Sequence, residues 1–295
     1  MRVNPNPYPD LLAAIAQLQQ QISSNEEQIA TGQSVNVPAD NPAAAAQLVQ
    51  NADQTSQADQ FQRSISSIQG EIQNADSALN SVTAALQQAI SLGVEGGNGT
   101  VNSSDRAALA SQVQGIQNQL LSLANLSYQG NYVFAGTATQ TPPYVLDPSS
   151  SSGVTYQGNT GVNTVTLGSH FSLQTNVPGS QLFSAASNNM FQSIQDLING
   201  LQSGTGISTA VTEVGSALNY VSAQGVFYGN ALNQLNSQQN YLGTETTQLA
   251  EQQNAEGGAD LTNVISSLTT EQTSLQATLS AIAQTSNTNL FEYLR

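Results

Sequence analysis

The chain has 295 residues, of which 38% are hydrophobic, enough to bury a large core in one or more domains. Only 8% of the residues are charged, against about 25% in ordinary soluble domains. There is no cysteine and no lysine, and His170 is the single histidine, which excludes disulfides, lysine-dependent phosphate loops and multi-histidine metal sites. The net charge of −15 disfavours binding to a nucleic-acid backbone, so we expect no nucleic-acid partner. Because the residue types named above are missing or scarce, we also expect no cofactor.

The first residues predict neither a membrane span nor a cleaved signal peptide. The longest apolar run near the start is residues 11–16, far short of the roughly 20 residues that a spanning helix needs. Arg2 is followed by prolines rather than by an apolar stretch and a small-residue cleavage site. We therefore expect no membrane insertion.

The strongest pattern is an apolar spacing that alternates steps of three and four residues. It begins with Leu11, Ile15, Leu18, Ile22, Asn25 and Ile29. It recurs over residues 58–89, 109–123, 207–249 and 261–282. Such spacing keeps one stripe facing a partner helix, and its persistence over residues 58–89 and 207–249 favours a long bundle or coiled coil over ordinary amphipathic helices.

Capping residues mark the predicted helix boundaries. Asn41 followed by Pro42 predicts a helix start, because asparagine caps and proline suits the first helical position. Asn102 predicts a second start, and the glycine-rich run at 93–99 predicts a turn between the two helices. Residues 45–92 and 104–127 should then form a helical hairpin.

The middle of the chain differs, because residues 137–183 are rich in Thr, Ser, Gly and Val. Residues 153–157, 163–167 and 171–175 are predicted strands, separated by turn signals. The predicted fold is mainly α, a long helical bundle or coiled coil formed by the N- and C-terminal segments, with a small all-β domain inserted in the middle. We expect this insert to be dispensable for the fold.

Both ends of the chain carry short motifs. Residues 30–47 contain a glycine turn followed by Asp-Asn-Pro-Ala, and residues 259–295 end in a Leu-x-x-Tyr-Leu pattern. The two motifs resemble the matching N- and C-terminal motifs of the flagellin superfamily. Residues 130–137, Gly-Asn-Tyr-Val-Phe-Ala-Gly-Thr, are similar to the segment that precedes the outer domain in the hook–filament junction members. The turn motif comprises Gly32, Pro38, Asp40, Asn41 and Pro42.

The resemblance implies a structural axial protein rather than an enzyme. It implies export through the flagellar type III apparatus without a cleaved signal, aided by a chaperone, to the extracellular flagellum. It also implies self-association into a ring between hook-associated protein 1 and the flagellin filament. The expected domains are a terminal helical domain (residues 1–42 and 256–295), a bundle domain (43–136 and 187–255) and the β insert (137–186).

The expected assembly interface is the apolar stripe of the paired terminal helices. Weighing apolar burial against the entropy of ordering predicts that these segments are disordered in the free subunit and become helical only on assembly. The interface residues are Leu11, Ile15, Leu18, Ile22, Ile29, Leu261, Ile265, Leu268, Leu275, Leu279, Ile282, Leu290 and Leu294.

Several alternatives remain open at this point. The chain could be a filament flagellin, or a secreted adhesin with a glycan-binding β insert. An enzyme would have to rely on His170, which lacks a carboxylate nearby in sequence. Tyr128, Tyr132 and Phe134 could stack on a sugar or form an aromatic core where two domains join. The scarcity of charge would suit an acidic milieu, in which carboxylates lose their charge.

Overall fold

The computed structural model describes residues 8–168 and 171–293, with side chains for residues 9–168 and 171–284. Within these residues the chain forms long α-helices and, in its middle, short strands. The helices are α1 (Tyr8–Thr31), α2 (Pro42–Gly96), α3 (Ser103–Ala124), α4 (Gly179–Leu182), α5 (Met190–Ser203), α6 (Ile207–Gly257) and α7 (Leu261–Tyr293).

The strands pair into small antiparallel two-stranded sheets. They are β1 (Ser127–Tyr128) with β2 (Asn131–Tyr132), β3 (Tyr144–Leu146) with β4 (Val154–Tyr156), β5 (Thr164–Thr166) with β6 (Ser172–Gln174), and β7 (Ser184–Ala185) with β8 (Asn188–Asn189). Strands β4, β5 and β6 lie inside the three predicted strand segments. The predicted fold class, a helical bundle with a small β region in the middle, is confirmed.

The chain divides into two compact units. The terminal unit takes the described parts of residues 1–57 and 244–295, and the central unit takes residues 58–243. Helix α2 therefore contributes residues 42–57 to the terminal unit and 58–96 to the central unit, and α6 is divided at 243/244. The five-segment division drawn from the sequence stays a prediction.

The central unit is built around one hydrophobic core that helices and hairpins share. Helices α2, α3 and α6 contribute apolar side chains at the predicted three–four spacing, and α5, for which the sequence predicted no such segment, contributes further apolar side chains. The segment between α3 and α5 contributes to the same cluster. Its fully buried members include Ile65, Ile72 and Leu86 of α2, Leu120 of α3, Phe191 and Leu197 of α5, Val214, Val221 and Leu235 of α6, and Phe134, Tyr144, Leu167, Leu182 and Phe183 of the middle segment.

Because the hairpins share the helical core, the expectation that the insert is dispensable is not supported. Tyr144 packs against Tyr156 and Phe191, with ring centroids 5.1 and 5.0 Å apart. Phe183 meets Phe134 edge to face at 5.2 Å. Removing the segment would uncover the helices as well as delete the strands, which periodicity alone could not indicate.

The turn predicted at 93–99 begins later than expected, because α2 continues to Gly96. A Cβ at Gly93 would lie 2.5 Å from Val211 Cγ2 and 2.9 Å from Leu197 Cδ1, and one at Gly96 would collide with Leu201. These glycines therefore allow close packing of α2 against α5 and α6 rather than breaking the helix. The chain leaves the helix only after Gly96.

Candidate assembly interface

Helices α1 and α7 of the terminal unit pack against each other. They run antiparallel, since the Ala259 N–H donates to Gly32 O at 3.0 Å at one end and Asn25 meets Glu271 further along. The pairing follows from the apolar stripes of the two segments, which repeat at the same spacing.

The pair covers its stripe only in part. None of the described side chains of α1 and α7 is buried, although eight of the predicted interface residues are half-buried: Leu11, Ile15, Leu18, Ile22, Ile29, Leu268, Leu275 and Ile282. Three others are exposed, Leu261 by 45%, Ile265 by 52% and Leu279 by 49%. The neighbouring Leu12, which the spacing did not select, is 54% exposed. Two helices alone leave much of each apolar face to solvent.

Two predicted interface residues cannot be placed by their side chains. The backbone of Leu290 belongs to α7, but its side chain lies outside the described residues, as does all of Leu294. Their part in the interface stays a prediction.

A polar pair interrupts the apolar stripe of α1. Asn25 Nδ2 donates to Glu271 Oε2 at 2.7 Å, across 246 residues of sequence, and both residues are half-buried. Sliding one helix against the other would separate these atoms and leave both polar groups against apolar neighbours. A polar residue at a stripe position is a known device for specifying helix register. The spacing marked Asn25 as a stripe residue but gave no sign of its partner.

The predicted turn motif connects α1 to α2 and is held to the α6–α7 connection. Gly32 adopts φ +70°, the left-handed conformation that ends α1, and its N–H donates to Gln28 O at 2.9 Å. The Ser34 N–H then donates to Gly257 O at 2.7 Å. Val35 is buried beside this short antiparallel contact, so the two connections of the terminal unit are tied together.

Asp40 and Asn41 organise the rest of the motif with side-chain hydrogen bonds. Asp40 Oδ2 accepts the N–H groups of Asn36 and Val37, each at 3.0 Å. Asn41 Oδ1 accepts the Ala44 N–H at 3.1 Å, so the N-cap predicted there is present, with Pro42 as the first residue of α2. Pro38 is exposed within the turn.

Sequence reasoning missed the cap of α7. Asp260 Oδ1 accepts the N–H groups of Thr262 at 3.1 Å and Asn263 at 3.2 Å. An aspartate placed directly before a helix also suits the positive end of the helix dipole. The pattern of an acidic residue before the apolar run at 261 could have identified it.

The residues behind the alternative functions lie in the central unit or outside the described chain. Phe134 is fully buried in the core, and Tyr128 is half-buried over Gly70, where a Cβ would collide with its hydroxyl. An aromatic core therefore accounts for both better than a stacking platform does. Tyr132 is half-buried in β2, and His170 lies outside the described residues.

Burial shifts the pKa of several side chains in the central unit. Burial raises the pKa of Tyr228, whose hydroxyl accepts the Val177 N–H at 3.3 Å, and it raises the pKa of the half-buried Glu71 carboxyl nearby on α2. In the part of the chain that the structure describes, no three His, Cys, Asp or Glu side chains are grouped to hold a metal. Within the same residues, no helix is long and apolar enough to cross a bilayer.

Comparisons with known proteins agree with this architecture. Residues 6–139 match the family model of the bacterial flagellin N-terminal helical region. Over 138 residues the chain is 36% identical to the flagellar hook-associated protein 3 of Salmonella typhimurium strain LT2, and equally to that of Escherichia coli strain K12. Each match covers 46% of this chain and 44% of the relative, so the chain spans less than half the length of the curated relatives it matches.

Solved structures share the fold at low sequence identity. The flagellar junction protein FlgL from Legionella pneumophila superposes with a TM-score of 0.62 at 15% identity, covering 72% of this chain and 100% of that one. FlgL from Bacillus cereus gives 0.61 at 19% identity, covering 70% and 99%. The flagellin N-terminal region matches residues 6–139, so the predicted resemblance to the flagellin superfamily is confirmed over that part of the chain.

Proposed function

We propose that this chain is a structural subunit of the flagellar hook–filament junction and that it assembles with other copies through α1 and α7. The name of the curated relatives supports the location, since both are hook-associated proteins. The half-covered apolar stripe of the terminal helices supports the mode of assembly.

The observation that carries the assembly proposal is the exposure of Leu261, Ile265 and Leu279 on one helix of a two-helix pair. Because each such side chain is about half exposed, covering it by a neighbouring subunit would contribute about half of the roughly 1.5–3 kcal/mol that full burial gives. Within the described residues of α1 and α7, no side chain is buried by the pair itself. The pair therefore gains from packing against other subunits.

The remaining parts of the proposal follow from this location. The subunits form a ring whose neighbours are hook-associated protein 1 and flagellin, and a chaperone protects the terminal segments before export to the cell exterior. The scarcity of charge is consistent with dense packing, because subunits rich in like charges repel one another.

The two alternatives receive less support. A filament flagellin would share the terminal helices, but the curated relatives are hook-associated proteins. An adhesin would need the β region as a separate module, whereas Tyr144, Leu167 and Phe183 belong to the same core as the helices.

Antibody labelling of intact cells tests the location. A single spot at the distal end of the hook is the expected result. Label along the whole filament would instead identify a filament flagellin, and absence of label from flagella would contradict both assignments.

A charge on the exposed stripe tests the mode of assembly. Ile265→Asp should leave the thermal unfolding of the free subunit unchanged, because the side chain is already 52% exposed, and should block incorporation into the flagellum. Gln276→Asp, which places the same charge at an exposed polar position of α7, is the matched control. Normal incorporation of the Ile265 variant would contradict assembly through this stripe.

A further inference from the structure

The loop between α2 and α3 exposes an Asn-Gly pair in a tight turn. Residues 97–100 are all exposed. The Val101 N–H donates to Asn98 O at 3.0 Å, and the Asn98 N–H donates to Glu95 O at 3.1 Å. The turn therefore holds the backbone of Asn98 while its side chain projects from the bundle.

The hydrogen bonds of the Asn98 carboxamide fall on its oxygen. Oδ1 accepts the Thr100 N–H at 3.3 Å and the Thr100 hydroxyl at 3.1 Å. Among the described residues, Nδ2 has no acceptor. Two donors on a carbonyl oxygen stabilise the negative charge that develops there when a nucleophile adds to the carbon. The arrangement thus polarises Cγ and leaves the nitrogen free to depart.

The nucleophile available to this carbon is the backbone nitrogen of Gly99, the next residue in the chain. Gly99 has no Cβ to hinder the approach of its backbone nitrogen, and no atom lies within 4 Å of the place where a Cβ would be. Within the described chain its N–H has no acceptor, so no hydrogen bond holds the nitrogen back. Asparagine is among the chemically labile residue types of proteins.

We propose that Asn98 is a self-modification site at which the chain converts its own asparagine to an acidic residue. The Gly99 nitrogen attacks Asn98 Cγ, a new C–N bond closes a five-membered succinimide ring, and the Cγ–Nδ2 bond breaks. The departing group takes up the amide proton of Gly99 and leaves as ammonia. One water then opens either carbonyl of the ring, giving aspartate or isoaspartate, without oxidation or reduction.

The chain carries an internal control, a second Asn-Gly pair at Asn199–Gly200. This pair lies inside α5, where the Gly200 N–H belongs to the helical ladder. Gly200 is buried, and a Cβ there would lie 3.2 Å from Thr205 O. The same dipeptide is thus held away from the ring-closing geometry, so the fold rather than the sequence decides which pair reacts.

The modification adds one negative charge to a chain whose net charge is −15. The new carboxylate stands shortly before α3, whose N-cap is Asn102 and whose first turn holds Asp105. Negative charge near a helix N-terminus is favoured, so the aspartate product should be tolerated. The isoaspartate product lengthens the backbone of this loop by one methylene.

Mass spectrometry of the purified full chain tests the proposal. The protein is incubated in mildly alkaline buffer made with ¹⁸O-labelled water and then cleaved after arginine, which places Asn98 in the 64–106 peptide. We expect labelled acid at position 98 in the folded protein and at both 98 and 199 in denaturant. Gly99→Val should abolish conversion at 98. Thr100→Val should slow it about five-fold, the rate equivalent of one ordinary hydrogen bond.

Three results would overturn the proposal or its mechanism. Asn98 could remain intact in the folded chain under conditions that convert it in denaturant. Asn98 and Asn199 could convert equally in the folded chain, which would remove the role of the fold. Finally, an undiminished rate in Thr100→Val would remove the role of the Thr100 hydroxyl.

Discussion

The central and terminal units follow the same three–four apolar spacing but bury it to different extents. Ile65 and Ile72 of α2 are 0% exposed, because they belong to a core cluster to which several other elements of the central unit also contribute. Ile15 and Ile22 of α1 are only half-buried, because α7 is the partner that α1 has in this unit. The spacing therefore predicts which face is apolar, while the number of neighbouring elements decides how much of that face is covered.

In the central unit the buried Gln117 donates to Gln195 Oε1 at 3.1 Å and to Ser152 O at 3.4 Å, which joins α3, α5 and the β3–β4 loop. In the terminal unit, the half-buried pair Asn25–Glu271 joins α1 to α7. A well-connected network rigidifies a core, so we expect the central unit to be the more stable one.

Deleting residues 140–184 and closing the gap with a short Gly-Ser bridge should have the largest effect. The deletion removes Tyr144, Leu167, Leu182 and Phe183 from the shared core, at about 1.5–3 kcal/mol each, or about 6–12 in total. That is comparable to the whole stability of a typical domain. Cooperative unfolding of the central unit, followed by circular dichroism, should therefore be lost. An unchanged transition would show that the hairpins are a separate module after all.

Isoleucine-to-alanine variants in the two units provide a matched pair. Ile72→Ala should lower the free energy of unfolding by about 2–5 kcal/mol, because the side chain is fully buried. Ile22→Ala should cost clearly less, because Ile22 is half-buried in the free subunit. Urea denaturation of each variant measures the difference. Equal losses would contradict the contrast between the units.

Sequence reasoning identified the features that depend on near neighbours. The α2 stripe, including Leu79, Val82 and Leu86, is buried as the spacing predicts. The predicted cap at Asn102 is present, with Oδ1 accepting the Asp105 N–H at 2.9 Å. Spacing and capping are local properties of a helix, so a single sequence carries them.

Features that depend on distant partners were not predictable in this way. Asn125 holds β3 by donating to Tyr144 O at 2.7 Å and accepting the Tyr144 N–H at 2.8 Å, across 19 residues. Glu271 finds Asn25 across 246 residues. Nothing in the local sequence of Asn125 or Glu271 distinguishes these side chains from the many other polar residues of the chain.

The Asn25–Glu271 pair should make a small, measurable contribution to the terminal unit. Asn25→Ala removes the donor and leaves the half-buried Glu271 without it, at a cost of about 0.5–1.5 kcal/mol. A double-mutant cycle with Glu271→Ala, read by hydrogen exchange of α1 and α7 amides, isolates the coupling energy. Gln20→Ala, at an exposed position of α1, is the control. A coupling energy of zero would mean that the pair does not specify register.

The smallest expected effect belongs to Glu71 of the central unit. Burial raises the pKa of this carboxyl above its ordinary value in the unfolded chain, which is about 4.3. The folded state therefore binds the proton more tightly, and the resulting stability is fully present below pH 4.3 and is lost as the pH rises through the folded pKa. At neutral pH the charged carboxylate therefore costs the central unit stability. Glu71→Gln should then stabilise the unit at neutral pH by less than about 1 kcal/mol, since solvent screening reduces the effect at a half-exposed site.

The gain from Glu71→Gln should vanish below pH 4.3, and Glu95→Gln, at an exposed position of the same helix, should show neither change. Urea denaturation at the two pH values measures both variants, and a Glu71 variant that is less stable than the parent at neutral pH would show that its charge has a favourable partner.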